Sequence, residues 1–146
     1  MEKSILARVL NEALMDEYQA RDTYRKIIQT FGPVRPFVNI VKAEQVHIRA
    51  LLTLYDRYLI PPPPAPDPDR VAVPDSLLSA CQRGVEGELA NVAMYDRLLA
   101  VVGLADVAQV LRRLQSASRD HHLPAFQHCV WRKACTPEAR RGLDAN

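Results

Sequence analysis

Glycine is scarce in this chain, with five in 146 residues, and no segment alternates strictly between apolar and polar positions. A sheet protein is therefore disfavoured, and helices are left to bury the apolar half of the composition. No stretch approaches the ~20 apolar residues that span a bilayer. Met1-Glu2-Lys3-Ser4 leads directly into mixed charged and apolar sequence, without the apolar core of a signal peptide. These absences predict a cytoplasmic protein with no membrane partner. The cysteines are three, Cys81, Cys129 and Cys135, with no C-x-x-C pair. An odd number argues against an oxidised framework and predicts buried thiols in a reducing compartment. The net charge of +2 is too small to call for a polyanion. Arg112, Arg113, Arg119, Arg132, Lys133, Arg140 and Arg141 make the last third locally basic, which reads as a solvated face, so no nucleic-acid partner is expected.

What the sequence does have is long apolar stripes at helical spacing. One runs through Leu6, Leu10, Ala13, Glu17, Ala20, Tyr24, Ile28 and Phe31 and stops at Gly32-Pro33. A second starts near Pro36 and continues through Phe37, Ile40, Val41, Glu44, His47, Ile48, Leu51 and Tyr55. A third, capped by Asp75 or Ser76, carries Leu78, Cys81, Val85, Glu88, Val92, Tyr95, Leu99 and Val102. The fourth shows Val107, Leu111, Leu114, Ser118, a histidine and Ala125, with a kink expected at Pro124. The spacing predicts helices over about 3–31, 35–59, 75–102 and 106–134 in one domain spanning 1–146, with Thr136-Pro137-Glu138 opening a short terminal helix or tail.

Residues 60–74 are proline-rich and cannot be helix. As polyproline II, about 14 residues at ~3.1 Å each reach roughly 43 Å, whereas a 25-residue helix is about 37 Å long. The segment can therefore run the length of a bundle and start helix 3 parallel to helix 2. One long crossover of this kind predicts an all-α, ferritin-like four-helix bundle.

The two halves repeat each other. Glu17 and Tyr24 match Glu88 and Tyr95, each pair seven residues apart, and the run from Glu44 and His47 matches the run from Arg119 and His122. Three glutamates and two histidines on core-facing stripes need a compensating charge, because a buried carboxylate without a partner costs several kcal/mol. Glu17, Glu44, His47, Glu88 and His122 are the candidate metal ligands, and such carboxylate and imidazole sets suit iron, manganese or zinc. His121 is an alternative to His122, while Glu86 and Asp120 are possible substitute ligands. Tyr24 and Tyr95 are read either as core packing or as hydrogen-bond donors to the carboxylates.

Together these motifs resemble the rubrerythrin-like four-helix bundles of the ferritin-like superfamily. More closely, Asp16-Glu17-Tyr18, Phe31-Gly32-x-x-Arg35-Pro36-Phe37, Ala43-Glu44-Gln45-x-His47-Ile48, the stretch from Glu86 to Asp96 and His122-Leu123-Pro124-Ala125-Phe126 look like a small bacterial and archaeal ferritin-like family of unknown function. The likeness covers roughly residues 5 to 131. The superfamily resemblance implies a non-haem di-iron or di-manganese centre reacting with dioxygen or peroxide, and the reading for this chain is a di-iron or iron–manganese centre with Glu44 and Glu88 bridging and His47 and His122 terminal. The pattern departs at helix 4, where Arg119 stands in the place of a fourth carboxylate and is available as a counter-ion. That departure predicts a weaker second metal, a single-metal site or a substitute ligand. With no rubredoxin-like cysteine motifs, a separate electron donor is expected, and a homodimer is the expected assembly. Metal storage or sensing without turnover is the alternative function, and a metal-free interaction module is the other.

Overall fold

The computed structural model describes residues 1–135. Among them there is no strand, and the order is α1 (Lys3–Phe31), α2 (Phe37–Arg57), a 3₁₀ turn (Pro68–Arg70), α3 (Leu77–Val101), α4 (Ala105–Ala117), a π-helical turn (Ser118–His122) and α5 (Leu123–Ala134). The last three form one continuous rod, so four helices pack as a bundle. The anticipated start of a terminal helix at Thr136 lies outside the described residues.

Local chemistry sets the helix ends. Gly32 adopts φ 93° and returns its N–H to the Ile28 carbonyl, stopping α1. Ser76, one of the two expected caps, accepts from the Ser79 N–H. α2 ends at Arg57, two residues earlier than its apolar pattern suggests, because Leu59 turns left-handed at φ 55° and Ile60 N–H closes back on the Tyr55 carbonyl.

Residues 60–74 make the predicted crossover. They leave α2 beside the start of α1, where Tyr55 donates to Asn11, and arrive near its far end, where Lys26 reaches Asp69 and Arg70 reaches Asp22. The run is extended except for the 3₁₀ turn, which Asp67 caps by accepting from the Asp69 N–H. Asp22 is the anchor: its side chain is fully buried and accepts from Arg70 at 2.7 Å and from Arg21 at 3.1 Å. Arg70→Ala is expected to lower stability by about 1–3 kcal/mol. Urea unfolding checks this, and an unchanged midpoint would remove the anchoring role.

The core falls into two apolar clusters. One joins Leu6 through Tyr18 of α1, Ile48 through Tyr55 of α2, Met94 through Leu98 of α3 and Val107 through Leu114 of α4. The other joins Tyr24, Ile27, Phe37, Ile40, Ala80, Cys81, Phe126 and Cys129. On α2, α3 and the fourth rod the polar core residues lie in sequence between the two, and on α1 Glu17 sits at the inner edge of the first, beside Tyr18. The bundle thus encloses a charged layer between two apolar ones, and full burial of each large side chain on either side stabilises it by ~1.5–3 kcal/mol.

Three expectations need correction. The irregularity in the fourth helix is a π turn at Ser118–His122, and Pro124 merely occupies the first turn of α5. Proline supplies no N–H and crowds the carbonyl four residues before it; a widened turn ahead of Pro124 relieves both problems without a break. Phe126, not the partly buried Ala125, then fills the core. Cys81 and Cys129 are joined as a disulfide, not held as separate thiols, with their Cα atoms 5.6 Å apart. They stand opposite each other on α3 and α5, a proximity created by packing residues 48 positions apart. Cys135 remains a free thiol, and His128 is exposed and stacked on Trp131, so no thiolate site forms with them.

Candidate metal centre

Each helix of the bundle contributes to one buried polar cluster. α1 supplies Glu17, α2 supplies Glu44 and His47 one turn apart, α3 supplies Glu88 and the π turn supplies His122. All five are buried, and Glu17 is completely so. The π turn resolves the choice between neighbouring histidines: His122 is buried while His121 is exposed. Ser118, four residues before His122, is buried beside it on the same rod. The core positions Leu114, Ser118, His122 and Phe126 recur every fourth residue. In a regular α-helix such a series drifts around the axis, and a wider turn restores it to one face.

The cluster has two halves that share Glu44. His47 Nδ1 lies 3.4 Å from Glu17 Oε2 and 3.5 Å from Glu44 Oε2. His122 Nδ1 lies 3.2 Å from Glu44 Oε1 and 3.5 Å from Glu88 Oε1. The two carboxylate oxygens of Glu44 therefore face two different imidazoles, whose rings are nearly parallel with centroids 5.6 Å apart. Ligand atoms each about 2.1 Å from one ion sit no more than ~4.2 Å apart. All four distances satisfy that limit. Glu17, Glu44 and His47 form one metal-competent group, and Glu44, Glu88 and His122 form the other. Glu88, expected as a second bridge, belongs to one group only.

These close contacts lack the alignment of hydrogen bonds. His47 Nδ1, His122 Nδ1 and Glu17 Oε2 are fully buried polar atoms with no hydrogen-bond partner. Such orphans are costly in a protein interior and call for an unlocated water or ion. The donor set of three carboxylates and two imidazoles is the kind that binds iron, manganese or zinc.

Two of the carboxylates are held by the repeated tyrosines. Tyr24 of α1 donates to Glu88 Oε1 of α3 at 2.9 Å, and Tyr95 of α3 donates to Glu17 Oε1 of α1 at 2.7 Å. Each half of the internal repeat thus orients the carboxylate of the other. Burial and the neighbouring carboxylates keep both phenols protonated well above their ordinary range. Two further residues escaped the sequence reading. Asn91 donates to Asp16 at 2.6 Å and lies 3.4 Å from Glu17 Oε1. Burial raises the Asp16 carboxyl to about 6 against the opposing Asn91 hydrogen bond. The available signal was Asn91 itself, one turn after Glu88 on an otherwise apolar stripe.

The remaining candidates point elsewhere. Arg119 is half exposed and pairs with its neighbour Asp120 at 3.0 Å, so it is not the counter-ion of the cluster, and Asp120 is no substitute ligand. Both fall on the outer side of the π turn. Glu86 is exposed and lines a groove of about 290 Å³ with Asp16, Thr23, Tyr24 and Arg83, outside the buried layer. Among the described residues no fourth carboxylate joins the two groups.

Without a cation, protons supply the charge balance. Burial raises the Glu17 carboxyl to about 8, helped by the adjacent Glu44 charge. Burial alone would depress the histidines, but the carboxylates beside them prevail and raise His47 to about 10 and His122 to about 9. Burial would raise Glu44 too, yet its contacts with Glu17, His122 and His47 hold it below the ordinary value. Groups raised on folding stabilise the native state below their unfolded pKa, and that stabilisation disappears as pH climbs through the folded value. The metal-free protein is therefore expected to lose stability from about pH 4.5, where Glu17 of the unfolded chain gives up its proton, to about pH 10, more steeply once the histidines add to the loss above about pH 6.5. Thermal melts across that range check it, and a flat profile would contradict the assignment. Metal displaces these protons, so affinity should rise with pH and loading should flatten the profile.

Among solved structures, the chain is similar to the hypothetical protein MJ0754 from Methanococcus jannaschii DSM 2661. The TM-score is 0.80 at 21% identity, over 92% of this chain and 83% of that one. No family model matches the chain, and neither does any curated protein. At this identity the likeness shows a shared fold alone, the all-α architecture of four packed helices.

Proposed function

We propose that this chain is a ferritin-like metalloprotein whose cluster holds two metal ions, iron or iron and manganese, and reduces peroxide or dioxygen. One observation carries the reading: a single buried carboxylate, Glu44, turns its two oxygens toward two histidines whose buried Nδ1 atoms have no hydrogen-bond partner. Glu44 would bridge, Glu17 and His47 would complete one position, and Glu88 and His122 the other. Bound there, a pair of redox-active ions supplies one electron each to the substrate. Tyr95 fixes Glu17 through Oε1 and leaves its Oε2 facing His47, while Tyr24 fixes Glu88 through the Oε1 that also faces His122. The apolar layers above and below exclude water, and a carboxylate set of three would leave a coordination position open to substrate where a fourth ligand would stand.

The test is metal analysis of the purified protein, then anaerobic addition of ferrous ion followed by air. Two equivalents bound, with the near-ultraviolet absorbance of oxidised dinuclear iron, support the proposal. The three-carboxylate composition favours one alternative, a single-ion storage or sensing site. One equivalent without that absorbance would establish it, and no binding would leave an interaction module.

A further inference from the structure

The buried Cys81–Cys129 pair plays no part in the centre as described, yet it sits on the same helix faces. Cys81 precedes Glu88 by seven residues on α3, and Cys129 follows His122 by seven on the fourth rod. Both are thus two turns from a candidate ligand, displaced toward the same end by about 10 Å along the axis. The space between is packed. Gly84 lies midway on α3, and a Cβ built there would meet the Phe126 ring at 2.5 Å. That ring lies 5.1 Å from the ring of Tyr24, and the Tyr24 hydroxyl donates to Glu88. Cys81, Cys129, Phe126 and Tyr24 belong to one apolar cluster, and both cysteines are essentially inaccessible to solvent.

We propose that Cys81 and Cys129 are a dithiol–disulfide couple that returns two electrons to the metal centre. The inference rests on the dinuclear reading above. Burial shields the thiols from direct attack by a dissolved oxidant, so the electron acceptor within reach is the centre itself, across the packed Phe126 and Tyr24 rings. The balance is complete. Two ferrous ions reduce one hydrogen peroxide to two waters, consuming two protons and becoming ferric. The two thiols then form the S–S bond, returning one electron to each ferric ion and releasing two protons. The net reaction converts one peroxide and one dithiol into two waters and one disulfide. A low-molecular-weight thiol admitted by opening of the α3–α5 contact would regenerate the pair; in the closed bundle neither thiol nor dissolved oxidant reaches it.

The experiment uses full-length protein reduced with dithiothreitol, desalted under argon and loaded with two equivalents of ferrous ion. One equivalent of hydrogen peroxide is added, ferric absorbance is followed, and thiols are counted after anaerobic quenching in denaturant. Ferric absorbance that rises and decays, with thiols falling from three to one per chain, supports the couple. A second equivalent should then leave lasting absorbance. Lasting absorbance after the first equivalent with three thiols intact would overturn it. So would equally fast thiol loss in metal-free protein, or a disulfide that resists reduction in the folded chain. The Cys81→Ser/Cys129→Ser double variant should bind two ferrous ions and give lasting ferric absorbance after one equivalent. If wild-type protein binds no iron, the dinuclear reading itself fails and the couple with it. Iron bound and oxidised without thiol loss refutes the couple alone.

Discussion

Glu44→Ala is expected to bind no metal at either position. Its carboxylate is the one group common to both ligand sets, so its removal leaves Glu17 with His47 on one side and Glu88 with His122 on the other. Two ligands do not hold a divalent ion against water in a buried layer, and the loss at each position should exceed the roughly 10–100-fold that a change outside the ligand shell costs. Calorimetric titration with zinc, a redox-silent probe, makes the comparison clean. Wild-type protein should take two equivalents, Glu17→Ala and Glu88→Ala one each, and Glu44→Ala none. Retention of two equivalents by Glu44→Ala would refute the bridging role. The same variant has a second signature in the metal-free state. His47 and His122 lose the carboxylate they share, their raised pKa values relax toward the ordinary range, and the stability loss between pH 6.5 and 10 should shrink.

Gly84→Ala should be the most damaging small substitution in the bundle. A Cβ at residue 84 would stand 2.5–2.7 Å from three atoms of the Phe126 ring. That ring is wholly buried and packed against Tyr24 and Phe37. Overpacking of this kind costs about 1–3 kcal/mol, or roughly 3–10 °C in melting temperature for a chain of this size. Because Phe126 supports the Tyr24 ring, the variant should also weaken the Glu88 and His122 position more than the Glu17 and His47 one. Melting curves and zinc titration measure both effects. Adding Phe126→Leu should recover part of the stability. A Gly84→Ala protein as stable as wild type would mean that the two helices separate at no cost, contrary to the close packing described.

The sequence carried the bundle because its signals are local and repeated. Apolar stripes, the Gly32-Pro33 stop, the Ser76 cap and the length of the proline run each depend on a few neighbouring residues, and all agree with one topology. The five buried ligand candidates were legible for a related reason: a glutamate or histidine on an apolar face is a conflict within a single helix. Three features were not legible. Pro124 was read as a kink, because a π turn is a property of how the fourth helix packs, although the every-fourth-residue spacing from Leu114 to Phe126 hinted at it. Arg119 was placed at the cluster by aligning the two halves, and the π turn rotates it out to Asp120. Cys81 and Cys129 were treated as isolated thiols, since nothing in their 48-residue separation shows that they face each other.

Helical periodicity and the burial of five polar side chains were thus determined by the sequence alone, through the requirement that each helix hide one face. Tertiary structure decided how those side chains pair: which histidine turns inward, which carboxylate is shared and which cysteines meet. Those choices depend on the relative rotation and depth of helices far apart in the chain, and packing all four against one another sets both.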